Sequence, residues 1–94
     1  MRMLMTILDE SKKEEFEVFL NRSGVDGYTE IAHAAGMGVT GPRQGSRAFP
    51  KTSAVVFTIL SEAALDRLNQ GIDEFCATCG EKLKMIAWDA QQLR

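Results

Sequence analysis

Residues 54–60, AVVFTIL, are β-branched or aromatic almost throughout, and no other run restricts the fold as much. Such a run reads as a strand. Neighbouring side chains of a strand point to opposite faces, so Val55, Phe57 and Ile59 share one side and Val56 and Leu60 the other. Both sides are apolar, and a strand apolar on both sides needs cover on both. Residues 84–88, KMIAW, repeat the pattern, with Met85 and Ala87 opposite Ile86 and Trp88. The chain must therefore build a sheet and cover both of its faces.

The other elements follow from periodicity and punctuation. Met3 to Leu8 is a short apolar run that ends at Asp9 and Glu10, and it reads as a first strand. Ser11-Lys12-Lys13-Glu14 has the form of a capping box, opening a helix with Phe16, Phe19 and Leu20 on one face and Gly24 as its stop. After a turn at Val25-Asp26-Gly27, Tyr28 to Ala35 alternates loosely, with Ile31, His33 and Ala35 on one side, as a second strand. Ser61 caps a second helix carrying Leu65, Leu68, Ile72, Phe75 and Cys76, and Gly80 closes it.

The order β-α-β-β-α-β predicts an α+β, ferredoxin-like fold: a four-stranded antiparallel sheet with two helices on one face. Two helices leave the second face bare. Further copies of the chain are the expected cover, so patterning alone predicts a homo-oligomer with Trp88 at the subunit interface.

Ninety-four residues are expected to form one domain over residues 1–94. A domain of this size buries about 60–65% of its unfolded surface. At 45% hydrophobic and 26% charged, the composition is that of a globular chain. The net charge of −2 gives no case for nucleic acid, and no nucleic-acid partner is expected. Charge distribution says more than the total. No Asp or Glu occurs from Ile31 to Ser61, while Arg43, Arg47 and Lys51 all fall inside that span, which suits an anionic ligand or an acidic partner. The N-terminal apolar run is too short for a signal peptide and no run is long enough to span a membrane, so the expected location is the cytoplasm, without membrane insertion.

Residues 36–50, GMGVTGPRQGSRAFP, hold half of the eight glycines and both prolines. Gly36 to Gly41 spells G-x-G-x-x-G, a dinucleotide-binding turn only where a helix opens from it. Gly41-Pro42 and Gly45 prevent a helix there, which excludes a Rossmann turn.

The order of elements, the run Gly24-Val25-Asp26-Gly27-Tyr28-Thr29, and Gly36-Met37-Gly38 before a long loop together resemble the PII signalling family. The resemblance extends over nearly the whole chain and is strongest to divergent PII-like proteins. It implies a homotrimer, with an adenine nucleotide (ATP, ADP or AMP) as effector in the cleft between subunits. It also implies a T-loop, about residues 38–53, that docks on a protein target such as a membrane transporter or an enzyme.

Carried over by position, Ile7 sits at the cleft, Gly27, Tyr28 and Thr29 border the nucleotide, and Gly36, Met37 and Gly38 form the base of the T-loop. Thr40 falls where the family uses a polar side chain, and Lys84 where its phosphate-binding loop ends in lysine. Arg43, Arg47 and Phe49 are the expected partner-facing residues. Glycines let backbone N–H groups approach phosphate oxygens, and the guanidinium of Arg43 offers a planar fork of donors. The chain differs from the family at Glu81-Lys82-Leu83-Lys84, which lacks the glycines of the phosphate loop, and at Arg47-Ala48-Phe49, where the T-loop tyrosine has no counterpart. The family's basic C-terminal tail is absent before Arg94.

Cys76-Ala77-Thr78-Cys79 is a C-x-x-C pair at a helix end, where the dipole disfavours the thiolate that redox chemistry requires. A metal needs further ligands, and His33 is the single histidine. Cys76, Cys79 and His33 define an alternative, a trimeric metal-binding or metal-response protein. No serine, cysteine or carboxylate has an identifiable base partner, so no enzymatic activity is expected.

Overall fold

The computed structural model describes residues 1–25, 27–38, 41–79 and 83–94, without the side chains of Thr78 and Cys79. Strand β1, Arg2–Asp9, alternates as its sequence dictates: Leu4, Thr6 and Leu8 are buried and Met3, Met5 and Ile7 half-buried. Strand β5, Ser53–Leu60, pairs antiparallel with it along its whole length, from Arg2 opposite Leu60 to Asp9 opposite Ser53. Strand β6, Lys84–Asp89, takes the other side of β1, and β2, Thr29–Ala34, takes the other side of β5. The resulting order is β2-β5-β1-β6, antiparallel throughout.

Helices α1, Lys13–Arg22, and α2, Glu62–Cys79, lie on one face of this sheet. Phe16 and Leu20 of α1 and Leu68, Ile72 and Phe75 of α2 pack with Leu4, Leu8, Val56 and Leu60 in one core. The rings of Phe16, Phe19 and Phe75 join the helices, with centroids 5.2–6.0 Å apart. Cys76 packs half-buried against the same core.

The ends of the helices follow sequence chemistry, with one correction. Ser61 caps α2 as expected: its Oγ accepts from the Ala64 N–H at 3.1 Å. Gly24 ends α1 with φ of 82°, and the Gly24 and Val25 N–H groups bond back to the Asn21 and Leu20 carbonyls, a Schellman stop. The start of α1 differs. Ser11 does not cap it: the Asp9 carboxylate takes the Ser11 N–H first, which winds Glu10–Lys12 into a 3-10 turn, and α1 begins at Lys13 with no side-chain cap.

The glycine-rich stretch also holds more order than a loop. Strands β3, Gly36–Gly38, and β4, Gly41–Arg43, pair as a short antiparallel hairpin apart from the main sheet. Gly80, the expected end of α2, lies outside the described residues.

On the face away from the helices, register aligns three rows of side chains. Ile59, Met3 and Trp88 form one, Phe57, Met5 and Ile86 the next, and Val55, Ile7 and Lys84 the third. Ile59, Ile86 and Trp88 are each more than two-fifths exposed. No element of the chain covers them among the described residues.

Candidate functional site

The expected ligand residues fall into two groups at opposite ends of β2. Gly27 and Tyr28 precede Thr29, its first residue, and Gly36–Gly38 follow Ala34, its last. Six residues at about 3.3 Å each put the groups at most roughly 20 Å apart.

At the first end, β5 outruns its neighbour. Thr29 pairs with Phe57, so Thr58, Ile59 and Leu60 have β1 on one side and, among the described residues, no strand on the other. This gap opens a cleft of about 580 Å³ between the start of β2, the end of β5 and the first turns of α2. Buried Thr58 donates its hydroxyl to the Gly27 carbonyl at 2.6 Å, fixing the turn that forms one wall. Gly27, Tyr28 and Thr29 all line the cleft and are exposed, while Met3, Phe57 and Ile59 give it an apolar side. Partial burial raises the pKa of the Tyr28 phenol, and the nearby carboxylates Glu17 and Glu30 push it the same way. The phenol therefore stays a neutral donor at physiological pH.

At the second end, Ile7 pairs with Val55 and Lys84, two residues short of the last residue of β1. The chain leaves β2 through an irregular register between Ile31 and Ala34, where His33 adopts φ of 57°, a region costly for a residue with a Cβ. Glu10 holds it there. The Glu10 carboxylate accepts the His33 backbone N–H, lies 2.8 Å from His33 Nδ1, and accepts the Thr52 hydroxyl at 3.1 Å. The hydrogen bond from the His33 backbone is the main reason the Glu10 pKa is lowered.

Asp9 does the same for the far side of the excursion. Its carboxylate pairs with Arg43, whose Nε donates to Ser53 Oγ at 3.0 Å and whose Nη2 donates to the Thr52 carbonyl at 3.2 Å. Both side chains are largely buried, 18% exposed for Arg43 and 11% for Asp9. Successive carboxylates at the end of β1 thus clamp both roots of the loop. Arg43, expected to face a partner, is bound within its own chain.

Arg47 and Phe49 remain on the surface. The segment that carries them is folded on itself: the Gln44 and Ser46 N–H groups donate to the Phe49 carbonyl, the Phe49 N–H to Ser46 Oγ at 3.1 Å, and the Gly45 N–H to the Lys51 carbonyl. Met37, on β3, is 73% exposed. Thr40 lies outside the described residues, as do Glu81, Lys82 and the Cys79 side chain. Among the described residues, no group of three or more His, Cys, Asp or Glu could hold a metal.

Two features escaped the sequence. The clamps join residues 23 to 42 positions apart, which no local pattern signals. Arg67, Ser61 and Gln92 line the cleft beside Thr29, and a cation between the core positions Leu65 and Leu68 reads only as a helix surface.

No family model and no curated protein matches the sequence. Solved structures match in fold. CPII, a nitrogen regulatory PII-like protein from Thiomonas intermedia K12 bound to ADP, AMP and bicarbonate, aligns with a TM-score of 0.73 at 22% identity, over 97% of this chain and 88% of that one. The apo form of CPII gives a TM-score of 0.66 at 19% identity, over 95% of this chain and 89% of that one. A candidate PII-like signalling protein from Thermus thermophilus gives 0.63 at 14% identity, over 93% and 83%. The chain therefore has the α+β fold of PII-like proteins. No helix is long and apolar enough to cross a membrane among the described residues.

Proposed function

We propose that this protein is a non-catalytic, PII-like regulator of the cytoplasm, in which an adenine nucleotide bound between subunits sets the state of the loop at residues 38–53. The observation that carries this reading is the division of the candidate ligand residues between the two ends of β2. Gly27, Tyr28 and Thr29 of one copy form half a site; Ile7, Gly36, Met37, Gly38 and Lys84 of a second copy supply the other half. The uncovered apolar face gives the copies a reason to associate, and the assembly we infer is a trimer. CPII, which has the same fold, was solved with ADP, AMP and bicarbonate.

In this mechanism the glycine N–H groups of β3 and the ammonium of Lys84 meet the phosphates, Ile7 gives an apolar wall, and Thr40 adds a hydroxyl. The same glycines lie on the hairpin whose second strand ends at Arg43. A ligand that binds one arrangement of the hairpin better than another shifts the population of loop states by that difference in affinity. Arg47 and Phe49 then meet the target, a transporter or an enzyme.

The test joins two measurements on the full chain: molar mass by light scattering, and thermal unfolding with ATP, ADP, AMP, cyclic AMP or bicarbonate. A ligand at about 100 times its Kd stabilises by roughly 2.7 kcal/mol, which is readily seen in a small domain. We expect the mass of three chains and a higher Tm with at least one adenine nucleotide, abolished by Gly38→Val. A single-chain mass with no nucleotide response overturns the reading.

A further inference from the structure

Arg67 stands in the Gly27–Thr29 cleft with no counter-charge among the described residues. It is the one charged side chain among the described residues that line the cleft, in a protein of net charge −2. It makes no ion pair or hydrogen bond among those residues, whereas Arg2 and Arg43 are each held by a carboxylate. Its position is also defined. The guanidinium reaches from the second turn of α2 to the end of α1, where a Cβ built on Gly24 would come within 3.4 Å of Arg67 Nη2. Glycine at that helix end leaves room for the guanidinium to lie along the backbone. The same cleft is lined by donors and acceptors that carry no charge, among them the hydroxyls of Thr29 and Ser61 and the amide of Gln92. Glu17 and Glu30, which act on Tyr28, line no part of the cleft.

With an apolar side, neutral polar groups and a single unpaired guanidinium among its described residues, the cleft suits a ligand with a flat or apolar part and one anionic group. We propose that Arg67 is the specificity-determining residue of this half-site, pairing its planar fork of donors with a phosphate of the bound nucleotide. The inference rests on the nucleotide-sensing function proposed above and adds the group that separates a nucleotide from its nucleoside. Guanidinium and phosphate match in geometry, forming two parallel charge-assisted hydrogen bonds that an ammonium cannot reproduce.

Isothermal titration of the full chain with ADP and with adenosine tests this in wild type, Arg67→Ala and Arg67→Lys. Because Arg67 is exposed, both variants are expected to keep the fold. Loss of the pair is expected to weaken ADP at least tenfold in Arg67→Ala, with partial recovery in Arg67→Lys. Adenosine affinity should stay within twofold across all three proteins, and the weakening of ADP binding by salt should flatten in Arg67→Ala. Wild-type ADP binding that Arg67→Ala leaves unchanged, or an equal loss of ADP and adenosine, overturns the assignment and leaves nucleotide sensing intact. A wild-type protein that binds neither compound overturns both.

Discussion

On the helix side of the sheet, Leu4, Leu8, Val56 and Leu60 are buried under Phe16, Leu20 and Leu68, all drawn from the same 94 residues. Across the same strands, Met3, Met5, Ile7, Val55, Phe57, Ile59, Ile86 and Trp88 are just as apolar and stay half-buried or exposed. The strands contribute alike to both faces, so residue type does not separate them. Helix supply does: two helices cover one face of four strands. The first face is a folding core and the second is left open by the chain's own helices, and substitutions on the two should fail in different ways.

The largest effect belongs to the finished face. Phe16 is fully buried at the centre of the aromatic cluster. Phe16→Ala should cost about 3–5 kcal/mol in urea unfolding, enough to unfold a marginal domain. A loss under about 1 kcal/mol would mean that the helices are not what holds the sheet. On the open face, Phe57→Glu should instead leave the far-ultraviolet circular dichroism intact, change single-chain stability by less than about 1 kcal/mol, and reduce the mass in light scattering to one chain. Retained assembly in that variant removes the distinction between the faces.

The smallest effect sharpens the comparison at its margin. Glu30, on β2, points to the helix side, where one oxygen of its half-buried carboxyl has no hydrogen-bond partner among the described residues. Burial raises its pKa above the ordinary 4.5, and the Glu17 carboxyl adds to the shift, with Lys13 opposing. A raised folded-state pKa means the proton is bound more tightly in the folded protein, so its contribution is complete below about pH 4 and lost as pH rises through the raised value. Glu30→Gln should therefore match wild type near pH 4 and be the more stable protein at pH 7, by chemical denaturation. Equal stability at both pH values would mean that the carboxyl is solvated.

Patterning made the four long strands and both helices legible, because burial of alternate or 3.6-spaced residues leaves a periodic trace. What it missed was decided by competition or by distance. Ser11 has the right spacing for a cap, yet Asp9 captures its N–H and delays the helix to Lys13. Gly36–Gly38 and Gly41–Arg43 have weak strand propensity and pair because the chain is short and doubled back. The bulge at His33 interrupts the alternation expected to place Ile31, His33 and Ala35 on one side. Of the candidate residues, Gly27, Tyr28 and Thr29 are consecutive in sequence and line one cleft together. Arg43 could not be placed from sequence, because its partner Asp9 lies 34 residues earlier.

That pairing fixes how far the loop can extend. β1 is bonded on both sides, by β5 and β6, so its end is a firm anchor. With Arg43 and Thr52 held to it, eight residues, 44–51, are free to stretch. Doubled back at about 3.4 Å per residue, they extend no more than roughly 14 Å from the anchor. Release of Arg43 and opening of the hairpin lengthen the free segment to the 17 residues 35–51, and the same arithmetic gives roughly 29 Å. One ion pair thus sets two tether lengths, the longer roughly twice the shorter.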